Sequence, residues 1–162
     1  MAAIFSTFFT GANLALIGAF LAVGLAGWGS AKGVGNAACA ANGFLAENPT
    51  MFGKVFVLEA LPATQGIYGF VVAFMIMLKI GVLGGDPSTI TVQQGSYLLF
   101  AALPIAIVGF ISAKYQSKAA VAGINLIAKQ KENLGNAITN AALVETYAIL
   151  ALLISMLLVL NF

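Results

Sequence analysis

The sequence contains no histidine, a single cysteine and only 7% charged residues. Each shortage excludes something. With no imidazole and one thiol, neither an internal disulfide nor a Cys/His zinc site can be built. Cys39, set among Ala37, Ala38, Ala40 and Ala41, is expected to be a small packing residue. Seven Lys or Arg against five Asp or Glu leave a net charge of +2. That is too weak a field for nucleic acid, and no basic run or interleaved aromatic pattern supplies one. Basic residues are also missing ahead of the first apolar run, since Lys32 is the first charge in the chain. A signal peptide needs a basic leader and a shorter apolar stretch, so this run is expected to be a retained first span.

What the chain has in abundance is apolar surface: 61% of 162 residues are hydrophobic and the mean hydropathy is +1.03. A soluble domain carries about one quarter charged residues, and a chain this poor in charge is expected to live in a bilayer. Apolar segments run from about 11 to 46, 52 to 81, 92 to 128 and 134 to 161. Between them stand Glu47-Asn48-Pro49-Thr50, Gly84-Gly85-Asp86-Pro87-Ser88-Thr89 and Lys129-Gln130-Lys131-Glu132-Asn133, clusters that mark turns. A span needs about 20 apolar residues, so residues 1–162 read as a single membrane domain of four transmembrane helices with no room for a soluble one. The first and third segments are longer than a span and are expected to tilt or protrude. Lys54, Lys114, Lys118, Lys129 and Lys131 lie in or near the first and third loops, whereas Lys79 flanks the middle one. The positive-inside rule then puts the first and third loops in the cytoplasm.

Displacing the chain by 82 residues lays it on itself without a gap. Ser30-Ala31-Lys32 falls on Ser112-Ala113-Lys114, Gly27 on Gly109, Gly53 on Gly135, Thr64 on Thr146 and Ile67 on Ile149. The fold class is therefore an all-α membrane protein of two tandem duplicated hairpins, 11–81 and 92–162, in the same orientation. It differs in this from the inverted repeats of many transporters. One exchange between the halves stands out: Glu145 falls opposite Ala63, so only the second hairpin carries the acid.

Two acids lie inside apolar segments. Glu59 stands near the start of the second span and is expected to serve a helix-end or interfacial role. Glu145 lies deeper, where a charge costs about 2.5–3.5 kcal/mol on insertion scales. No lysine is expected at its depth, which leaves a proton or a metal ion as the natural counter-charge. On the second span Leu61, Thr64, Gln65 and Tyr68 share one helical face, and three of the four are polar. Neutral oxygens of this kind suit a hard cation, although hydrogen bonding between helices would use the same groups. Pro62 lacks an N–H, and a kink there is expected to free a backbone carbonyl such as that of Leu61. Gln116 on the third span is a further amide that can converge on Glu145. Gly24, Gly27, Gly29, Gly33 and Gly35 crowd the first span; the spacing of Gly29 and Gly33 lets helices approach closely. No strand precedes them, so a dinucleotide loop is excluded.

The stretches Gly-Ser-Ala-Lys-Gly-Val-Gly at 29–35, Leu-Pro-Ala-Thr-Gln-Gly-Ile-Tyr-Gly-Phe at 61–70, Pro-Ile-Ala at 104–106 and Val-Glu-Thr-Tyr-Ala-Ile-Leu at 144–150 resemble the proteolipid subunit of V-type and A-type rotary ATPases. The resemblance covers essentially the whole chain and includes the duplicated hairpin with one acid lost. It implies a ring of identical subunits turning in lipid. The ring would turn against a stator subunit that presents an arginine, with a central stalk joining it to a soluble ATPase head. It implies further that Na+ is held by the Leu61 carbonyl, Thr64, Gln65, Gln116 and Glu145, with Tyr68 hydrogen-bonded to the carboxylate. The full set of matching residue types favours Na+, with H+ the alternative ion. No organic cofactor, no nucleic-acid partner and no catalytic activity of the isolated chain are expected, and the location implied is a bacterial plasma membrane. Two other classes fit less well. A small multidrug antiporter carries its glutamate in the first helix of a shorter, unduplicated chain, and a purely structural pore gives the convergent oxygens no purpose.

Overall fold

The computed structural model describes residues 9–162. Helix α1 covers Gly11–Glu47. It is followed by a 3-10 turn at Pro49–Met51, α2 at Phe52–Ala60, a second 3-10 turn at Leu61–Ala63, and α3 at Thr64–Lys79. After a short 3-10 turn at Pro87–Thr89 come α4, Val92–Lys129, a turn at Lys131–Asn133, and α5, Leu134–Leu160. Four stretches are long and apolar enough to cross a membrane: Gly11–Glu47, Pro49–Lys79, Val92–Lys129 and Lys131–Leu160. Each lies within three residues of the segment read from the sequence. Local chemistry sets the ends. Thr10 caps α1 by accepting the Asn13 N–H, and Thr91 and Gln94 form a reciprocal capping box at the start of α4. Gly81 and Gly84 adopt positive φ in the middle loop, where a side chain would be strained.

The two long helices form the spine. At 37 and 38 residues they reach about 55 Å at 1.5 Å per residue, far beyond the ~30 Å of hydrocarbon. Lys32, Lys114 and Lys118 consequently lie within the helices, 21, 22 and 26 residues beyond their first residues. Gln116, which reaches Glu145, lies between Lys114 and Lys118 on the same helix, so the two lysines start within about 3 Å of its level at 1.5 Å per residue, contrary to the expectation that no lysine stands at the depth of the acid. Close approach of α1 to its neighbours depends on glycine. A Cβ on Gly29 would stand 2.8 Å from the Phe110 carbonyl oxygen, and one on Gly33 would stand 2.8 Å from Pro62 Cβ and 3.1 Å from the Ala113 carbonyl oxygen. Gly27 and Gly35 have open space instead. Cys39 is exposed, contrary to the expected packing role. The inward face at that level belongs to Ala37 and Ala41, one turn apart, and residue 39 points elsewhere on the cylinder.

Two prolines fall within the spans, each beside polar side chains. Pro104 lies inside the continuous α4, and the adjacent Ile105 N–H donates to Ser155 Oγ of α5 at 3.2 Å. Pro62 sits in the 3-10 turn that divides the second span. Its missing N–H leaves the carbonyl four residues earlier, that of Leu58, without a helical donor. The Leu61 carbonyl is not left free, in contrast to the expectation. It accepts both the backbone N–H and the hydroxyl of Thr64, the latter at 3.1 Å.

Candidate functional site: a carboxylate among neutral donors

The break at Leu61–Ala63 starts α3 with Thr64 and Gln65 in its first turn and Tyr68 one turn on. These side chains meet α4 and α5 across the boundary between the two hairpins. Glu145 Oε1 accepts the Tyr68 hydroxyl at 2.6 Å, and Oε2 accepts the Gln116 amide at 3.3 Å. Gln116 Oε1 in turn accepts from the Gln65 amide, and both glutamine side chains are fully buried. The Gln65 amide also reaches Ser112 Oγ at 3.3 Å. On the other edge, Thr64 Oγ1 stands 3.1 Å from the Leu61 oxygen and 3.5 Å from Gln65 Oε1.

The six residues singled out from the sequence thus lie in one connected network. It leaves no buried side-chain oxygen or nitrogen unpartnered among the described residues. Both hydrogen bonds to the Glu145 carboxylate come from neutral groups. Glu59 is half-buried and has no place in the network. The sequence reading did not pick out Ser112, which donates to the Val144 carbonyl at 3.0 Å and fixes the turn of α5 next to Glu145. A signal for it was present. Ser112 is the repeat counterpart of Ser30, and Ser30 Oγ accepts the Gly66 N–H at 2.8 Å, tying α1 to α3 in the first hairpin.

Chemically, the arrangement offers one carboxylate and several neutral oxygens. Oxygens 3.1 and 3.5 Å apart match adjacent ligands of a cation that holds oxygen at about 2.3–2.6 Å, the range of calcium, which Na+ resembles in radius. A transition-metal cluster is not assembled, since no three His, Cys, Asp or Glu residues come together among the described residues.

The family model for the C subunit of ATP synthase matches the chain twice, at residues 17–76 and again at 99–158. The chain belongs to the ATP synthase C-subunit family. The two matches begin 82 residues apart, the displacement that superposes the halves of the sequence. This C-subunit family member is 48% identical over 135 residues to the V-type sodium ATPase subunit K of Enterococcus hirae, a match covering 83% of each chain. It is 39% identical over 145 residues to the A-type ATP synthase subunit K of Methanocaldococcus jannaschii, covering 90% of this chain and 61% of that relative. With four spans and two family repeats, it is an integral, multi-pass membrane protein of the rotary ATPase type.

Proposed function

We propose that the chain is the rotor-ring subunit of a V-type ATPase and carries Na+ across the membrane on Glu145. The observation that carries the reading is the Glu145 carboxylate held at the seam of the two hairpins by neutral donors alone. The 48% identity to a sodium ATPase subunit K supports the choice of ion. In this reading the Leu61 carbonyl, Thr64 Oγ1, Gln65 Oε1, a Gln116 amide oxygen and Glu145 face the ion, and Tyr68 orients the carboxylate. One carboxylate and one monovalent cation make a neutral site, which can pass through lipid; a bare carboxylate cannot. H+ is not favoured as the carried ion, because a proton needs only the acid and leaves the Thr64 and Gln65 oxygens unused.

The subunit performs no catalysis itself. Identical copies form a ring in lipid, each loading and unloading at a stator membrane subunit that presents an arginine, and a central stalk links the ring to the ATP-hydrolysing head. The lysine distribution puts the first and third loops on the cytoplasmic side of a bacterial plasma membrane. The test is carbodiimide modification of Glu145 in purified protein, across pH, with and without Na+. The reagent attacks the protonated acid, so Na+ should protect, and more Na+ should be needed as pH falls. Modification that follows pH but ignores Na+ would replace the sodium reading with a proton one.

A further inference from the structure

The Ser112 hydroxyl stands where the polarity of the whole network is decided. A serine hydroxyl has one proton to give and lone pairs with which to accept. Here the proton goes to the Val144 carbonyl at 3.0 Å, a group that only accepts. Toward any other neighbour Ser112 Oγ is therefore an acceptor. That neighbour is the Gln65 side chain at 3.3 Å, so the end of Gln65 that faces Ser112 has to be its amide N–H. Gln65 Oε1 is thereby turned to the far side, 3.5 Å from Thr64 Oγ1. The order passes on through Gln116. Its oxygen accepts from the same Gln65 amide, which leaves the Gln116 N–H for Glu145 Oε2 at 3.3 Å. Reversing Gln65 would set its oxygen against the oxygens of Ser112 and Gln116. All three side chains are buried, where unmatched acceptors carry their full desolvation penalty.

We infer that Ser112 is a positioning residue of the ion site: by accepting from Gln65, it holds the Gln65 oxygen toward the ion and the nitrogen away from it. The inference rests on the sodium reading above and deepens it. A hard cation takes oxygen ligands. A Gln65 turned the wrong way thus removes one ligand and points N–H protons at a positive charge. Ser112 is not itself a ligand in this arrangement; it acts through Gln65. Without its hydroxyl the two glutamines can turn together, because each amide still finds a partner in the other. The repeat counterpart Ser30 accepts a backbone N–H, that of Gly66, which has no second orientation to exclude.

The test is the Na+ concentration that half-protects Glu145 from carbodiimide, measured on the full chain at one fixed pH. Ser112→Ala should raise it roughly twofold to tenfold, the worth of one neutral hydrogen bond. In a Gln65→Leu background no amide remains to be oriented, so Ser112→Ala should add nothing there. An equal rise in both backgrounds would mean that Ser112 acts by holding α5 against α4, and no rise in either would leave it no part in ion binding. Both results overturn the assignment. A matched pair guards against a packing defect. Threonine and valine share one shape, and Ser112 lines a surface cavity of about 400 Å³ with room for the added methyl. Ser112→Val should reproduce the alanine effect, whereas Ser112→Thr, which keeps the hydroxyl, should restore the Na+ requirement of the unchanged chain. Equal requirements for these two variants would also refute the role of the hydroxyl. If Na+ fails to protect even the unchanged chain, the sodium reading falls and this inference with it, a result distinct from the failure of Ser112 alone.

Discussion

Replacing Gln65 with leucine tests the ligand set most directly. Gln65 is fully buried and joins three groups: its amide donates to Gln116 and Ser112, and its oxygen lies 3.5 Å from Thr64 Oγ1. Leucine fills similar space, so no large cavity opens. Tyr68 and Gln116 still bond Glu145, so the acid stays in place to react with carbodiimide. In the proposed ligand set, what Gln65→Leu removes is one neutral oxygen facing the ion. Polar contacts to a charged group contribute about 1.5–3 kcal/mol, and each 1.4 kcal/mol is about tenfold in affinity. The Na+ concentration that half-protects Glu145 should therefore rise roughly tenfold to a hundredfold. The Gln116 oxygen, left without its donor, should cost about 1–3 kcal/mol of stability, which is read separately as a lower unfolding midpoint in detergent. An unchanged half-protecting concentration would show that Gln65 only bonds helices together and would refute its place as a ligand.

Two further substitutions test the frame that holds the site. Gly33→Val should prevent α1 from docking, because any Cβ there meets Pro62 and the Ala113 carbonyl oxygen; the expected result is loss of folded protein on size-exclusion chromatography, and a normal elution profile would refute the close approach. Ser155→Ala removes the hydroxyl that accepts the Ile105 N–H beside Pro104, which should cost about 0.5–1.5 kcal/mol and lower the unfolding midpoint while leaving Na+ protection of Glu145 unchanged.

Much of this was legible in the sequence because membrane physics narrows the choices. Four apolar runs can only be helices, since the bilayer satisfies no free backbone groups. A lone acid in the last of them demands a partner, and Tyr68 and Gln116 were both among the groups expected to converge. What could not be read was geometry finer than a helical face. The sequence places Leu61 beside a proline but does not say that Thr64 bends back to occupy its carbonyl. It gives Ser112 the look of any small helical serine, although this hydroxyl connects Gln65 to the backbone next to Glu145. Cys39 resembled its alanine neighbours in size, and only the rotation of α1 decides that it faces outward.

The break at Leu61–Ala63 has a consequence for folding and assembly. One half of the polar set, Leu61, Thr64 and Gln65, is contiguous in the chain and arranged by a single turn, so it is present as soon as that segment is helical. The other half, Gln116 and Glu145, arrives from 51 and 77 residues away from its partners, when the second hairpin closes on the first. An ion bound there binds only the closed form. At a free concentration one hundred times its dissociation constant, it would add about 2.7 kcal/mol to closure. Under the proposed function, the carried ion would act as a clasp between the hairpins, fastened while the site is occupied and released where the ion leaves.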